Sequence, residues 1–261
     1  MCQLKLSIVQ MDIAWENKQA NICSLREKLK ELRGKTDIVV LPEMFSTGFT
    51  MQSHRLAEPV TGDTILALKD LTVEYRFAIT GSYIAVEDTI YYNRAFFITP
   101  EGGIFFYDKR HLFCLGDEAK SFSKGDRKVV VSYRGWNICL LICYDLRFPV
   151  WSRNVSNEYD LLICMANWPA SRRRVWDTLL QARAMENVSY VCGVNRIGID
   201  GNYIHYNGGS AVYSAKGETL IGVPDDEEFV ETVILELSSL QQFRREFPVW
   251  KDADLFARKH T

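Results

Sequence analysis

The sequence predicts an α/β protein with mixed sheets, and three features carry that expectation. Short apolar runs at 37–41 (DIVVL), 136–142 (WNICLLI) and 160–166 (DLLICMA) lack polar alternation. Both faces of such strands must be covered, as in layered α/β folds. Amphipathic stretches with apolar residues at helical spacing lie between them. Segments of alternating polarity, paired around turn residues, add antiparallel strands, so the sheets are not purely parallel.

The elements follow in order. Residues 4–9 (LKLSIV) read as the first strand. Over 17–33, Ile22, Leu25, Leu29 and Leu32 recur at helical spacing, and Gly34 is placed as the stop. After the strand at 37–41, Asp63 is placed to cap a helix running to about Tyr75. Residues 77–86 and 89–99 pair as a hairpin around Glu87-Asp88, and the turn at 100–103 leads into a strand at 104–107. Strands at 128–132 and 136–142 precede a helical stretch at 149–155 and the strand at 160–166. Trp176, Leu180, Ala184 and Val188 line one face of a helix at 175–188. Strand 190–195 and several further β segments end in 229–237, followed by a short polar helix near 239–247. No Pro/Ser/Gly-rich tract, charge block or repeat divides the chain. The reading is a single domain over 1–261, with a core at about 4–237 and a C-terminal extension at about 238–261.

Composition narrows the function. With 31 Lys+Arg against 33 Asp+Glu and 47% hydrophobic residues, the 261-residue chain is neither disordered nor basic enough for a dedicated nucleic-acid or anionic-membrane binder. No run approaches the roughly 20 apolar residues that span a bilayer. The N-terminal residues lack a signal-peptide pattern, so a cytoplasmic protein acting on a small molecule is expected. Seven scattered cysteines, four histidines, no C-x-x-C and no H-E-x-x-H argue against a disulfide framework and a metal site. No cofactor is expected.

Three segments place a reactive side chain at the end of an apolar run: Glu43 in VVLPEMF, Lys109 in FFYDKRHLF and Cys143 in NICLLICYDLRFP. Each has an ordinary alternative: a solvated loop glutamate, a surface lysine with a buried stem, a structural cysteine. Their coincidence carries the weight, because strand ends collect at one edge of an α/β sheet. A thiol attacks as thiolate, a carboxylate in reach takes its proton, and an ammonium holds the oxyanion with the backbone N–H of Tyr144. That set opens an amide or a nitrile with neither metal nor histidine. His111, following Lys109-Arg110, reads as a loop brace, and His205 lies in a polar turn with no identifiable orienting partner.

LPEMF, YDKRHLF and ICYDLRFP, widely separated and in that order, resemble the three signature segments of the nitrilase superfamily, the carbon–nitrogen hydrolases. The resemblance continues through MANWP at 165–169 and QARAMEN at 181–187. CYDLRFP, MANWPASR and FPVWKDAD look most like the omega-amidase branch. It implies a four-layer α-β-β-α sandwich, commonly paired as a homodimer or higher homo-oligomer. It also implies Cys143 as nucleophile, Glu43 as general base and acid, Lys109 as oxyanion partner, and a second glutamate, Glu118, orienting the lysine. Asp117 is the competitor for that last role. The implied substrate is the terminal amide of a short 2-oxo dicarboxylate monoamide such as 2-oxoglutaramate. Its far carboxylate needs a cation, for which Arg147, Arg172, Arg173 and Arg174 are candidates. Phe45, Phe113 and Trp168 are candidate pocket walls. The alternatives are a sibling amidase acting on carbamoyl or deaminated-peptide amides, and a non-catalytic dimeric scaffold. Intact Glu43, Lys109 and Cys143 disfavour the scaffold.

Overall fold

Strands that are apolar on both sides need cover on both sides, and the chain supplies it by stacking two sheets between helices. The computed structural model describes residues 3–222 and 224–254. The first sheet is built from β1 (Gln3–Gln10), β2 (Ile38–Val40), β3 (Ala78–Glu87), β4 (Ile90–Ile98) and β5 (Ile104–Asp108). The second contains β6 (Val130–Tyr133), β7 (Trp136–Ile142), β8 (Leu161–Ala166) and β9 (Tyr190–Asn195). A small pair, β10 (Ile197–Ile199) and β11 (His205–Asn207), precedes β12 (Ala211–Tyr213), β13 (Thr219–Gly222) and β14 (Phe229–Glu236).

The strand orders are β14-β1-β2-β3-β4-β5 and β13-β12-β9-β8-β7-β6. Each sheet has three parallel strands at its centre, β1–β3 in one and β7–β9 in the other. Each is flanked by one antiparallel strand on one side and two on the other. The mixed sheets expected from the sequence are therefore present, and both halves use the same plan.

β2 shows why its sequence does not alternate. Ile38 and Val40 enter the apolar layer between the sheets, with Leu6, Ile8, Phe97, Ile138 and Leu140. Val39 and Leu41 face the other way, under α1 (Lys18–Leu29) and past the short α2 (Ser53–Leu56) under α3 (Asp63–Tyr75). Leu25, Leu29, Leu68 and Leu71 complete that outer layer. After α4 (Glu118–Ser121) and α5 (Pro149–Ser152), α6 (Arg173–Asn187) covers the second sheet with Trp176, Leu180 and Ala184. Gly193 in β9 permits the close approach: a methyl there would stand 2.3 Å from Leu180 Cδ1. The layers run α-β-β-α. α7 (Leu237–Glu246) buries Leu237 and Leu240, and its Arg244 reaches Asp160 at 2.7 Å and the Tyr159 carbonyl at 2.7 Å.

Local details differ from the sequence reading in three places. The first helix ends at Leu29 and tightens into a 3₁₀ turn over Lys30–Leu32 before Gly34, which sits at φ +73°. Gly62 caps the helix at 63–75 and Asp63 is its first helical residue, a carboxylate at the positive end of the dipole. The hairpin turn is Asp88-Thr89, because a two-residue connection of this kind needs both residues at positive φ, here 46° and 69°. No helix among the described residues is long and apolar enough to cross a membrane.

Candidate active site

The parallel strands deliver their next residues to one seam between the sheets. Glu43 follows β2, Lys109 follows β5 directly, Cys143 follows β7 directly and opens a 3₁₀ turn, and Asn167 follows β8. Met44 and Cys143 adopt left-handed backbone, φ 43° and 44°, a costly conformation for side chains of this size. Strain of that kind persists only where surrounding contacts impose it, and here it sits beside Glu43 and on Cys143 itself.

Lys109 lies fully buried between two carboxylates. Its Nζ donates to Glu43 Oε1 at 2.8 Å and to both oxygens of Glu118 at 3.0 Å. Glu43 and Glu118 are themselves inaccessible to solvent. Asn93, from β4, bridges the carboxylates: its Nδ2 donates to Glu43 Oε1 at 2.7 Å and Glu118 Oε1 at 3.0 Å. The Asn167 N–H donates to Glu43 Oε2 at 2.8 Å, and its side-chain amide to the Glu43 carbonyl at 2.6 Å. The Phe113 N–H donates to Glu118 Oε2 at 2.6 Å. The Cys143 thiol faces the Asn167 carbonyl at 3.8 Å.

The charges set the resting state. Burial pushes Lys109 down, but Glu118 and Glu43 overcome it and hold the ammonium above its ordinary range. Burial, opposed by Lys109, raises Glu118. Burial and then the Glu43 charge push the Cys143 thiol well up, so the nucleophile rests protonated. A thiol that rests neutral must lose its proton as it attacks, and an adjacent carboxylate is the required acceptor.

Lys109 and Cys143 open into a cavity of about 520 Å³, whose wall also includes Phe49, Phe113, Tyr144 and Trp168. Arg147 and Arg172 line it as well. Their guanidiniums lie over the Trp168 and Phe113 rings, each 5.1 Å from the centroid. Neither makes an ion pair among the described residues. Trp168 is anchored by its N–H to Asn195 Oδ1 at 2.8 Å and by its indole N–H to the Arg172 carbonyl at 2.9 Å. No group of three or more His, Cys, Asp or Glu side chains among the described residues is arranged to hold a metal ion.

Most of the residues singled out in the sequence are gathered here. Asp117, the competitor of Glu118, pairs with Lys120 at the surface. Three expectations are corrected. Arg173 is not presented to the cavity: it pairs with Asp177 and Asp225, both at 2.7 Å. Arg174 is exposed outside the cavity wall. Phe45 is core, packed against Phe96 under the first helical layer. His205 does have a partner, Asp226 at 2.8 Å, but on the surface. His111 braces as expected. Its backbone N–H and ring Nδ1 both meet Asp145 Oδ1, at 2.9 and 2.8 Å, and its ring stacks on Phe148 at 3.7 Å.

Sequence reasoning missed Asn93, Asn167 and Asp145. Asn93 is a lone amide in the strand IYYNRAFFI, buried among apolar neighbours, and that isolation was the available signal. Asp145 joins the two sheets at the seam. Its Oδ2 accepts from Tyr107 OH at 2.7 Å and the Ile142 N–H at 3.1 Å, so residues two before and two after Lys109 are tied to the cysteine turn.

The comparisons with known proteins show the family. The chain is 39% identical over 254 residues to omega-amidase YafV of Escherichia coli K12, covering 97% of this chain and 98% of that one. It is 30% identical over 251 residues to 2-oxoglutaramate amidase of Bacillus subtilis, covering 95% and 96%. The structure superposes on XC1258 of Xanthomonas campestris, a CN-hydrolase superfamily protein with an arsenic adduct in its active site. The TM-score is 0.97 at 36% identity, over 99% of this chain and 100% of that one. With the carbon-nitrogen hydrolase family model matching residues 5–245, the chain belongs to that family.

Proposed function

We propose that the protein is an omega-amidase. It hydrolyses the terminal amide of a short 2-oxo dicarboxylate monoamide, such as 2-oxoglutaramate, through an acyl-thioester on Cys143. The observation that carries this is the cavity itself: its wall holds Cys143, Lys109 backed by the buried Glu43 and Glu118, and two guanidiniums, Arg147 and Arg172, that make no ion pair among the described residues. Lys109 matches a developing oxyanion and the arginines match the far carboxylate of the substrate.

In the first half-reaction Glu43 takes the thiol proton as sulfur attacks the amide carbon. Lys109 and the Tyr144 N–H hold the oxyanion. Glu43 then returns the proton to the leaving nitrogen, the C–N bond breaks, and ammonia departs. In the second half a water loses its proton to Glu43 and attacks the thioester. The C–S bond breaks, the acid leaves and the thiol regains its proton. No external oxidant or reductant enters.

Incubation with 2-oxoglutaramate, with ammonia quantified and the acid-quenched protein weighed, tests the proposal. The expected result is ammonia release and an acyl mass on Cys143, both lost after thiol alkylation. Unchanged turnover after complete alkylation of Cys143 sinks the mechanism. Turnover of carbamoyl or deaminated-peptide amides alone moves the assignment to the sibling activity. We place the reaction in the cytoplasm, where a free nucleophilic thiol stays reduced, and expect two copies to pair as a homodimer, which light scattering checks.

A further inference from the structure

We propose that Asn93 is a positioning residue that decides which oxygen of Glu43 receives the thiol proton. A carboxylate offers about four acceptor positions, two on each oxygen. On Glu43, Oε1 has both filled, by Lys109 Nζ at 2.8 Å and Asn93 Nδ2 at 2.7 Å. Oε2 accepts the Asn167 N–H at 2.8 Å and keeps one position open among the described residues. The open position therefore belongs to the oxygen held by Asn167, and the carbonyl of that same residue faces the Cys143 thiol. Glu118 offers no competing site. Its Oε1 takes Lys109 and Asn93, and its Oε2 takes Lys109 and the Phe113 N–H.

Asn93 can fill Oε1 only with its amide turned one way, and the fold fixes that direction. The Met44 N–H donates to Ser82 Oγ at 2.8 Å, which leaves the single hydroxyl proton for Asn93 Oδ1 at 3.0 Å. Both Nδ2 protons are then committed to the carboxylates. A flipped amide would set an oxygen against two anions. Met44 follows Glu43 directly, so the chain of bonds closes a ring from the backbone beside Glu43, through Ser82 and Asn93, to its side chain. Without Asn93, Oε1 gains an open position that competes with the one on Oε2, and the carboxylate loses a donor that favours its charged form.

This deepens the amidase reading and rests on it. The test compares wild type, Asn93→Ala and Ser82→Ala by the pH dependence of Cys143 alkylation with 2-iodoacetamide, followed by intact mass, alongside kcat and KM for 2-oxoglutaramate. The other titratable groups facing Glu43, namely Lys109, Glu118 and Cys143, are unchanged in both variants. In Asn93→Ala the acid limb moves up by about one pH unit, the scale of one hydrogen bond to a charged group. At pH 7 kcat falls roughly tenfold or more, with KM within about threefold. Ser82→Ala removes the hydroxyl that anchors Asn93 Oδ1, loosens the amide against the carboxylates and moves the limb the same way by less; it carries the test if Asn93→Ala does not fold. An unmoved limb, or an equal loss at every pH, overturns the proposal. Alkylation needs no substrate, so a wild type inert on 2-oxoglutaramate would remove the substrate assignment while leaving this result readable.

Discussion

Two groups of buried carboxylates cross the seam between the sheets, and they differ in how fully they are bonded. Asp145 has all its acceptor positions taken, by Tyr107, Ile142 and both nitrogens offered by His111. Glu43 keeps one position open among the described residues, on the oxygen held by Asn167, whose carbonyl faces the Cys143 thiol. Both are fully buried and both join the first sheet to the second. On the proposed mechanism, the difference separates a fastener from a reagent. A saturated carboxylate fixes geometry and has no room for a proton; an unsaturated one next to a protonated thiol has a proton to take.

The sharpest break of that comparison is at the reagent. Glu43→Gln keeps shape and hydrogen-bonding capacity but cannot carry the proton, and Cys143→Ala removes the nucleophile. Each is expected to lower ammonia release by roughly 10³-fold or more while thermal unfolding changes little. Asp145→Asn is the opposite case. It replaces one acceptor with a donor facing N–H or O–H groups, and is expected to cost about 1–3 kcal/mol of stability. Its rate falls by less, roughly tenfold, because Cys143 and Lys109 lose their mutual fastening but stay present. If Asp145→Asn matched Glu43→Gln in rate with no loss of stability, the distinction between the groups would be wrong.

Lys109→Ala lies between these extremes, since the lysine belongs to both kinds of role. Loss of one oxyanion donor lowers kcat by roughly 10²-fold. Two buried carboxylates left facing each other cost about 3–5 kcal/mol, read as a lower denaturation midpoint. A variant with normal stability and a lowered rate would mean the glutamates take up a proton instead.

The arginines extend the comparison across the cavity. Arg147→Gln and Arg172→Gln should each raise KM for 2-oxoglutaramate roughly tenfold, the scale of a charge-assisted bond, with kcat nearly unchanged. On a short amide lacking the far carboxylate, neither variant should differ from wild type. An equal effect on both substrates would assign the arginines to the chemistry or to the fold instead of to the carboxylate.

The sequence exposed the reagents far better than the fasteners. Cys143, Glu43 and Lys109 each end a run whose apolar character is local, so their position at a sheet edge follows from a few neighbours. Glu118 came only through family resemblance. Asn93 and Asp145 act through register and through contacts between sheets, where Ile84 opposes Asn93 and Tyr107 meets a residue 38 positions on. No short window contains those relations. Arg173 misled because one of its partners, Asp225, lies 52 residues away, although the Asp177 pairing one helical turn on was visible in the sequence. Phe45 misled because sequence proximity to Glu43 did not reveal that it packs beneath the outer helices.

The smallest effect comes from the Cys143 thiol itself and tests whether folding raises its proton affinity. Burial, then the Glu43 charge, raises Cys143 well above an ordinary thiol. In the unfolded chain the same thiol ionises near pH 8.5–9. Above that pH the folded state holds a proton that the unfolded state has released, so stability must fall as pH rises. Cys143→Ala removes this one contribution and leaves those of the other buried thiols and phenols, Cys164 and Tyr107 among them, in place. The variant should therefore gain about 1–2 kcal/mol relative to wild type between pH 8 and pH 10, read from denaturant midpoints. A constant difference across that range would mean that folding leaves the thiol's proton affinity unchanged. The thiol would still carry its proton at neutral pH, but as an ordinary thiol does, and burial beside the Glu43 charge would not be what holds it.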